Sequence, residues 1–348
     1  MKKLLFIACL LACARAYTQE PAGAMSLSGF TDTYYSYSFS NPANNLKPGF
    51  IYNYNKNNEI NINLAYIKCA IARTHTRGNL ALMAGTYSNA NLAAEPGVLK
   101  NIMEANAGIR LARNLWFDAG VFNSHIGFES AVSKDCWALT RSLAAENSPY
   151  YESGARLDYE TGSWTFQLYY LNGWQRMERQ TGPSLPSFGS QITWKSRNIT
   201  VSYNTYFGQS SYTGAHARRY FHNLYAIARV SSRIGLIIGF DVGSDKIIST
   251  GTSPAIWYTP VVMGRYHFSD KLSVTARTEY YADKEGIITG SSHFGMASYS
   301  ANLDYRPHEK ALLRLEARRY HSQSPQFKTK NGIADTDTVI TLSLSNSF

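Results

Sequence analysis

The sequence predicts an all-β fold, a transmembrane antiparallel β-barrel of about 16 strands with long extracellular loops and short periplasmic turns. Polar and apolar residues alternate with a period of two in many segments, and the chain ends on such a segment. Turn signals divide the chain into alternating short and long connections. Beyond the N-terminal segment no apolar run approaches the ~20 residues of a spanning helix. A closed barrel then remains as the structure that satisfies every backbone polar group in lipid.

Composition excludes several other classes of protein. The 348 residues include 25 Tyr, 14% aromatic residues and 17% charged residues. Such a chain has too many large apolar side chains to remain disordered. Its formal charge is +10, of which three positive charges belong to the predicted N-terminal signal, and the sequence contains no block of Lys and Arg. Nucleic acid is therefore not a predicted partner.

The N-terminal residues 1–16 are predicted to be a secretory signal peptide. A positively charged start precedes the apolar residues 4–12, and residues 14–16 form an Ala-Arg-Ala cleavage site. After cleavage the chain would form a single barrel domain, residues 17–348, in the bacterial outer membrane. A lipoprotein signal that ends at Cys13 is the alternative.

The C-terminal segment carries the clearest alternation of the chain. Even-numbered residues from Ile340 to Leu344 are apolar, whereas odd-numbered residues 341–347 are Ser or Thr, and the chain ends at Phe348. This pattern predicts the closing strand of a barrel with one face in lipid. Leu342, Leu344 and Phe348 would then form the closing contact and the signal for the barrel-assembly machinery. The alternative is an ordinary edge strand of a soluble β-sandwich.

The same alternation recurs along the chain, for example over residues 164–170 and 313–318. In a shorter segment Ile60, Ile62 and Leu64 are predicted to share one face of a strand. Seven short turns alternate with eight long connections, which gives 16 strands with both chain ends on the short-turn side. The long connections are predicted at residues 40–58, 88–101, 124–150, 174–186, 209–218, 243–254, 283–293 and 322–336.

Charged residues on the polar faces of these strands are predicted to point into the lumen, because a charge on the lipid face at the midplane costs about 2–4 kcal/mol. Arg outnumbers acid in this set, which favours anions; the alternative is a ladder of cross-strand ion pairs without selectivity. The predicted lumen-wall residues are Asp118, Arg156, Asp158, Arg229, Arg265, Arg277, Glu279, Arg314, Glu316 and Arg318.

Two cysteines, Cys69 and Cys136, remain after removal of the predicted signal peptide. The sequence does not decide whether they form a disulfide.

Three central segments, residues 120–129, 147–154 and 171–175, resemble the outer-membrane β-barrel porin family of OmpL-like type, familiar from Bacteroidetes. Residues 29–35 and 84–87 resemble it as well. The resemblance extends over essentially the whole mature chain. It implies a porin fold and class, and it implies no particular substrate.

The third long connection, residues 124–150, is the candidate constriction loop. A barrel of this strand number encloses an aqueous channel, and in sixteen-strand porins a loop in this position commonly folds into the lumen, an expectation from fold analogy. Charges of both signs would create a transverse field that selects permeants. The alternative is a loop that packs outside the lumen or forms subunit contacts. The candidate constriction residues are Glu129, Lys134, Asp135, Arg141 and Glu146.

The predicted function is passive diffusion of small hydrophilic solutes or ions through a water-filled barrel. The alternative is a structural or binding barrel that acts through its extracellular loops or a partner protein. An enzyme is not expected, because the common hydrolase and metal-binding motifs are absent. The weak exception is His125 with Ser124 and Glu129 near the rim. No cofactor is predicted.

Predicted partners are outer-membrane lipid, lipopolysaccharide, the barrel-assembly machinery and small solutes. A basic patch of His216, Arg218, Arg219 and His222 matches the charge of lipopolysaccharide phosphates; the alternative, which is favoured, is the solvated base of a loop. A homotrimer is compatible with the class, although one sequence shows no interface signature.

Overall fold

The computed structural model describes residues 24–179, 186–210, 217–247 and 253–348. The predicted signal peptide, residues 1–16, lies outside these described residues. Within them no helix has the length and apolar character needed to cross a membrane.

Sixteen strands form one closed antiparallel barrel in which the first and last strands pair with each other. The predicted fold class and strand number are thereby confirmed. A two-stranded hairpin, β16 and β17, stands outside the barrel sheet. The strands are β1 (Ala24–Ser38), β2 (Ile60–Ala72), β3 (Thr76–Ala84), β4 (Ile102–Ala112), β5 (Leu115–Asn123), β6 (Tyr151–Thr161), β7 (Trp164–Leu171), β8 (Ser187–Lys195), β9 (Ile199–Gln209), β10 (Ala217–Arg229), β11 (Ile234–Ile247), β12 (Ala255–His267), β13 (Leu272–Asp283), β14 (Phe294–His308), β15 (Ala311–Ser322), β16 (Phe327–Thr329), β17 (Gly332–Ala334) and β18 (Thr336–Ser347).

Short turns and long loops alternate along the barrel strands, as the sequence predicts. The loop bounds agree with the prediction to within a few residues, and the third loop agrees at both ends. Among the described residues, two short helices lie in the long loops, α1 (Thr86–Asn91) in the second loop, L2, and α2 (Leu143–Glu146) in the third loop, L3. Single 3₁₀ turns occupy Gly97–Asn101 and Ser133–Asp135. The long loops are L1 (39–59), L2 (85–101), L3 (124–150), L4 (172–186), L5 (210–216), L6 (248–254), L7 (284–293) and L8 (323–335).

The closing strand β18 alternates as predicted. Ile340, Leu342 and Leu344 are 40–55% exposed on the outer face, whereas Ser343 and Ser345 are at most 2% exposed on the inner face. In a membrane the outer row meets lipid, and the inner row meets the polar lumen. The alternation therefore places one face of the strand in each environment.

Leu64 does not share the outer face with Ile60 and Ile62, so the predicted pattern is wrong at this residue. The register of β1 against β2 shifts at Asn63, which inserts one extra residue into β2. Such a bulge reverses the side-chain alternation that follows it. Leu64 is consequently fully buried inside the barrel. Asn63 gains a separate role, because its Oδ1 accepts the backbone N–H of Tyr54 in L1 (2.9 Å).

The barrel closes where the C-terminal residue Phe348 pairs with Gly29 of β1, and the Phe348 ring lies over Gly29. The backbone N–H of Gly29 donates to the Phe348 carbonyl (2.9 Å), and the Phe348 N–H donates to the Gly29 carbonyl (3.0 Å). A Cβ atom on Gly29 would lie 2.2 Å from the Phe348 ring. The absence of a side chain at Gly29 therefore makes room for the ring.

We expect Gly29→Val to weaken barrel closure. Overpacking of a tight contact typically costs about 1–3 kcal/mol. The measurement is the urea midpoint of the refolded barrel, read from its heat-modifiable gel mobility. Gly264→Val on β12 is the control, because a Cβ at Gly264 meets no atom within 4 Å. Equal midpoints for the two variants would contradict a specific contact between Gly29 and Phe348.

Among the described residues, four apolar clusters lie in the interior of the barrel, and two of them are large. In the larger cluster Phe50 of L1, Leu143 of L3 and Trp174 of L4 pack with the wall residues Trp257 and Phe294. A barrel of this width would otherwise enclose a wide channel. Loops L1, L3 and L4 therefore fill part of the space that the strand number alone predicts to be aqueous. The second cluster includes Phe30, Leu64, Met83, Val132 and Ala145.

Candidate constriction site

Loop L3 lies inside the barrel, where three arginines of β13 and β15 hold its backbone carbonyls. Buried carbonyls need partners, and a loop with little internal secondary structure must obtain them elsewhere. The wall arginines supply them as charge-assisted donors. The bonds join Arg277 Nη1 to Thr140 O (2.7 Å), Arg314 Nη1 to Ser133 O (2.6 Å), Arg314 Nη2 to Cys136 O (3.2 Å) and Trp137 O (3.0 Å), and Arg318 Nη1 to Arg141 O (2.7 Å).

Acidic side chains of the same wall accept the N–H groups of L3. Glu316 accepts the Thr140 N–H (2.6 Å), and Glu279 accepts the Leu143 N–H (2.6 Å). The wall therefore presents donors to the carbonyls of L3 and acceptors to its amides. This complementary pattern fixes L3 against β13–β15.

The wall charges also pair with one another. Asp304 accepts from Arg314 (2.7 Å) and Arg265 (2.8 Å), and Glu316 accepts from Arg277 (2.8 Å). Arg318 contacts Glu279. Cross-strand ion pairs therefore run through this side of the barrel.

The wall of β3, β5 and β6 carries a second ionic group. Asp118 accepts from Arg77 and from Arg156 (2.9 Å), while Arg77 Nη2 also donates to Asp158 (2.9 Å).

All ten predicted wall residues lie on inward-facing positions of their strands, although Arg229 is exposed at the short-turn end of β10. Arg77 lies on β3 and is not among the ten predicted wall residues. This geometry matches the paired-ladder interpretation more closely than a row of free charges.

Glu129 and Arg141 are buried within the fold of L3, which differs from the prediction that their charges face the passage. Arg141 is 0% exposed and donates to the carbonyls of Ser130 (2.6 Å) and Leu139 (2.5 Å). Glu129 accepts the backbone N–H of Ser142 (2.9 Å), and burial raises the pKa of its carboxyl. The reason is local, because the bends of L3 turn its own polar backbone groups inward, where these side chains satisfy them.

Glu146 is also buried, and it joins L3 to L1. Its carboxylate accepts the backbone N–H groups of Tyr52 (2.9 Å) and Asn53 (3.3 Å). Burial raises the pKa of Glu146 to about 7. This residue therefore connects two loops and does not present a free charge to the passage.

Lys134 and Asp135 are the two candidate constriction residues that are exposed. They lie in the 3₁₀ turn of L3, and the Lys134 Nζ is 5.8 Å from the centre of the Phe30 ring on β1. Partly exposed Lys68 and Arg77 are further inward-facing basic residues of β2 and β3. The charges of L3 that remain open to the interior are therefore concentrated at this turn.

His125 anchors the beginning of L3 to the opposite wall. Its Nδ1 lies 2.7 Å from Glu152 Oε2, and its Nε2 lies 2.8 Å from the Thr205 carbonyl oxygen. Burial alone would lower the pKa of His125, but the Glu152 carboxylate raises it overall. Both neighbours accept, so both ring nitrogens donate. Ser124 accepts from the Ile126 N–H and does not join a catalytic arrangement with His125.

Two glycines of β11 receive aromatic rings from L3, a feature that the sequence analysis missed. A Cβ on Gly235 would lie 2.5 Å from the Trp137 ring, and a Cβ on Gly239 would lie 2.6 Å from the Phe128 ring. Both glycines face inward, four residues apart. A glycine inside a strand is a sequence signal for the close approach of another group.

Cysteine chemistry does not link these elements. Cys69 and Cys136 are both free thiols. Cys136 is buried in L3, where its Sγ lies 3.2 Å from the Ser130 carbonyl. L3 is therefore held by hydrogen bonds, ion pairs and ring packing.

The family model described as "Putative beta-barrel porin-2, OmpL-like" matches residues 24–348. The chain belongs to this family. It is therefore an outer-membrane porin, a passive diffusion channel, with its long loops on the extracellular side. No sequence among curated proteins matches it. The family and the structures that this porin resembles are channels and not enzymes.

Solved outer-membrane channels share the fold of this porin at low sequence identity. OmpT of Vibrio cholerae, in its trimer form, has 9% identity and a TM-score of 0.63, with 94% of this chain and 100% of that chain covered. The anion-selective porin from Comamonas acidovorans has 10% identity and a TM-score of 0.62, with 94% and 100% covered. The channel DcaP of Acinetobacter baumannii has 12% identity and a TM-score of 0.63, with 95% and 99% covered. These similarities concern the fold alone.

The periplasmic mouth of this porin contains a basic vestibule. A cavity of about 610 Å³ is lined by Trp137 of L3 and by the turns that follow β8, β10 and β12. Among the described residues, this lining holds five Lys or Arg side chains and one acid, Asp270. The resulting excess positive charge faces solutes between the periplasm and L3. The basic residues are Lys195, Arg197, Arg229, Arg233 and Arg265.

Proposed function

We propose that L3 sets the size limit of this diffusion channel and restricts it to small hydrophilic solutes and ions. The observation that carries the proposal is the docking of L3 along β13–β15 by wall arginines and glutamates. The barrel itself is wide enough for a large aqueous channel. A loop fixed across that space is the narrowest part of the path, with Lys134 and Asp135 as its exposed charges.

Single-channel conductance in planar bilayers tests this function. The refolded mature chain is compared with a variant in which residues 130–141 of L3 are replaced by a short Gly-Ser linker. We expect small, regular conductance steps from the natural chain and several-fold larger steps from the variant. Equal conductance of the two barrels would contradict the assignment of L3 as the constriction.

A second candidate function is a sealed barrel that acts through its loops or a partner. The apolar clusters that join L1, L3 and L4 to the wall favour it, because they remove aqueous space from the interior. In the same experiment this candidate predicts no conductance from the natural chain and large steps from the shortened one. Folding is controlled by heat-modifiable mobility, so that an unfolded sample is not mistaken for a sealed barrel.

We also propose export by cleavage of residues 1–16, assembly by the barrel-assembly machinery as a single domain over residues 17–348, and a homotrimeric state. The trimer form of the OmpT structure supports the last point by analogy. The mature N-terminus is read by mass spectrometry of protein from outer membranes, where Tyr17 is expected. Native mass in detergent distinguishes a trimer from a monomer.

Contact with lipopolysaccharide is proposed for Arg218 and His222, which lie on the outer face of β10 near its extracellular end. Arg219 points inward, where it pairs with Asp245 (2.8 Å), so the predicted patch is wrong at this residue. Alternation within a strand explains the difference, because neighbouring residues face opposite sides. His216 lies outside the described residues.

A further inference from the structure

Loops L1, L7 and L8 surround a cavity at the extracellular mouth, separate from the periplasmic vestibule. Its volume is about 390 Å³, within the range of small-molecule sites, about 300–1,000 Å³. Ser38, on the inner face of β1, belongs to the lining, so the cavity lies on the lumen side of the barrel wall. The described lining contains two basic side chains, Lys47 and Lys328, and no acidic one. Its other polar side chains are Ser38, Ser40, Asn44, Thr289, Ser291 and Gln326.

Lys47 is the feature of this cavity that points to a ligand. The residue is 8% exposed, yet its Nζ forms no hydrogen bond and no ion pair with the described residues. This Nζ is not among the unpaired polar atoms that are sealed from solvent, so it keeps some accessible surface. The cavity is accessible space that Lys47 lines. Because lysine is rarely buried without a partner, the cavity holds a positive charge that lacks its counter-ion.

The charged groups that face Lys47 from neighbouring elements do not neutralise it. Arg318 of β15 repels its ammonium, whereas Asp337 of β18 attracts it. Glu146 of L3 and Glu316 of β15 attract it more weakly. Each of these three carboxylates already accepts hydrogen bonds from other groups. Burial consequently lowers the pKa of the Lys47 ammonium to about 7.

Ring packing holds the two lysines beside the same cavity. The ring centre of Phe50 in L1 lies 6.4 Å from that of Phe327 in the β16–β17 hairpin. Phe327 also packs on Tyr320 of β15, with ring centres 5.5 Å apart. Lys47 comes three residues before Phe50, and Lys328 directly follows Phe327. The apolar contact therefore positions one basic residue from each loop in advance, which lowers the entropy cost of binding.

We propose that this cavity binds a small free oxyanion, with Lys47 as the buried anchor and Lys328 as a second, exposed contact. An ammonium group has three donors and no acceptor, so it recognises the oxygens of sulfate, phosphate or carboxylate groups. Lipid head groups also carry phosphate, but they lie on the outer side of the barrel wall, opposite to Ser38. The order of binding before passage rests on the proposed function, whereas binding itself does not.

Calorimetric titration of the refolded mature porin in detergent, at low chloride, tests the proposal. The probes are sodium sulfate and sodium phosphate, and we expect saturable binding of at least one of them. Lys47→Met should weaken that binding about tenfold, because one charge-assisted contact is lost while an unbranched side chain of similar length still fills the space. Lys328→Gln should weaken it about threefold, since an exposed charge contributes less. Lys328 is exposed, so this second variant does not depend on the packing of L1.

Sulfate affinity should also fall as the pH rises through about 7, because the Lys47 ammonium then loses its proton. Sulfate itself keeps its charge over this range. Glu146, whose pKa is also about 7, gains a negative charge over the same range and would weaken binding in the same direction. Lys47→Met separates the two groups, since it should remove most of the pH dependence. An unchanged pH dependence in this variant would contradict the role of Lys47.

Lys330→Gln is the matched control, because Lys330 is exposed in the turn of the same hairpin and does not line the cavity. Its sulfate affinity should equal that of the natural chain. Arg229→Glu with Arg233→Glu, which alters the basic vestibule, should likewise leave this site intact.

Absence of saturable binding of both anions would overturn the proposal, as would equal binding by Lys47→Met. Loss of sulfate binding in micelles that contain phosphatidylglycerol would assign the site to a lipid head group and overturn the free anion. Binding without conductance would contradict the proposed function and leave this site standing, whereas conductance without binding would remove this site alone.

Discussion

Arg314→Met should release L3 from the barrel wall and increase single-channel conductance. The substitution removes the donors to the carbonyls of Ser133, Cys136 and Trp137. Hydrogen bonds to a charged group contribute ~1.5–3 kcal/mol each, so a net loss of roughly 3 kcal/mol would shift the ratio of docked to released L3 about 100-fold. Asp304 keeps Arg265 as its partner, which limits damage to the wall itself.

We expect the Arg314→Met variant to show larger and noisier conductance steps than the natural chain. We also expect proteases to cleave L3 faster in this variant. Arg319→Met is the control, because Arg319 is on the same strand but faces outward and donates to Thr338 Oγ1 (2.7 Å). Its conductance should not change. A folded Arg314→Met barrel with unchanged conductance and unchanged protease resistance would show that L3 does not depend on this anchor.

Charge reversal in the periplasmic vestibule should invert the ion preference of the channel. Five basic residues and one acid give its described lining a charge of +4, so the natural chain is expected to prefer anions. Arg229→Glu with Arg233→Glu should abolish this preference. Adding Lys195→Glu and Arg197→Glu should make the channel prefer cations. All four side chains are exposed, so the changes need not disturb packing.

The measurement is the reversal potential across a salt gradient, made at low salt because the Debye length is only about 10 Å at 0.1 M. Lys246→Glu with Arg319→Glu is the control, since both side chains lie on the outer face near the extracellular end. It should leave the reversal potential unchanged. An identical reversal potential for the natural chain and the fourfold variant would place the origin of ion preference elsewhere.

Much of the fold could be predicted because each strand and each turn is marked by residues that are close together in the sequence. Period-two alternation and turn residues give the strand number and the limits of L3, residues 124–150. The inward side of β15 follows from the alternation of Arg314, Glu316 and Arg318 with apolar neighbours. The alternation predicts the wrong face of the strand for Leu64. One inserted residue at Asn63 reverses the alternation, and no distinctive local sequence marks the insertion.

The constriction was less predictable because its contacts depend on the three-dimensional course of L3 inside the barrel. Sequence reasoning could place charges in L3, but it could not show that Arg141 bonds to carbonyls of its own loop. Nor could it show that Gly235 and Gly239 accept rings from L3, since the ring positions follow from the docked loop.

The docking of L3 also has a consequence for the order of biogenesis. Thr140 bonds to Glu316 across 176 residues, and Arg314 reaches Ser133 across 181 residues. Contacts of such high sequence separation form late, since a long stretch of chain must be ordered first. The anchors of L3 reside on β13 and β15, which are among the last strands to leave the translocon. A barrel can therefore narrow its own lumen only after its C-terminal strands have been inserted, and a seated L3 marks a completed molecule.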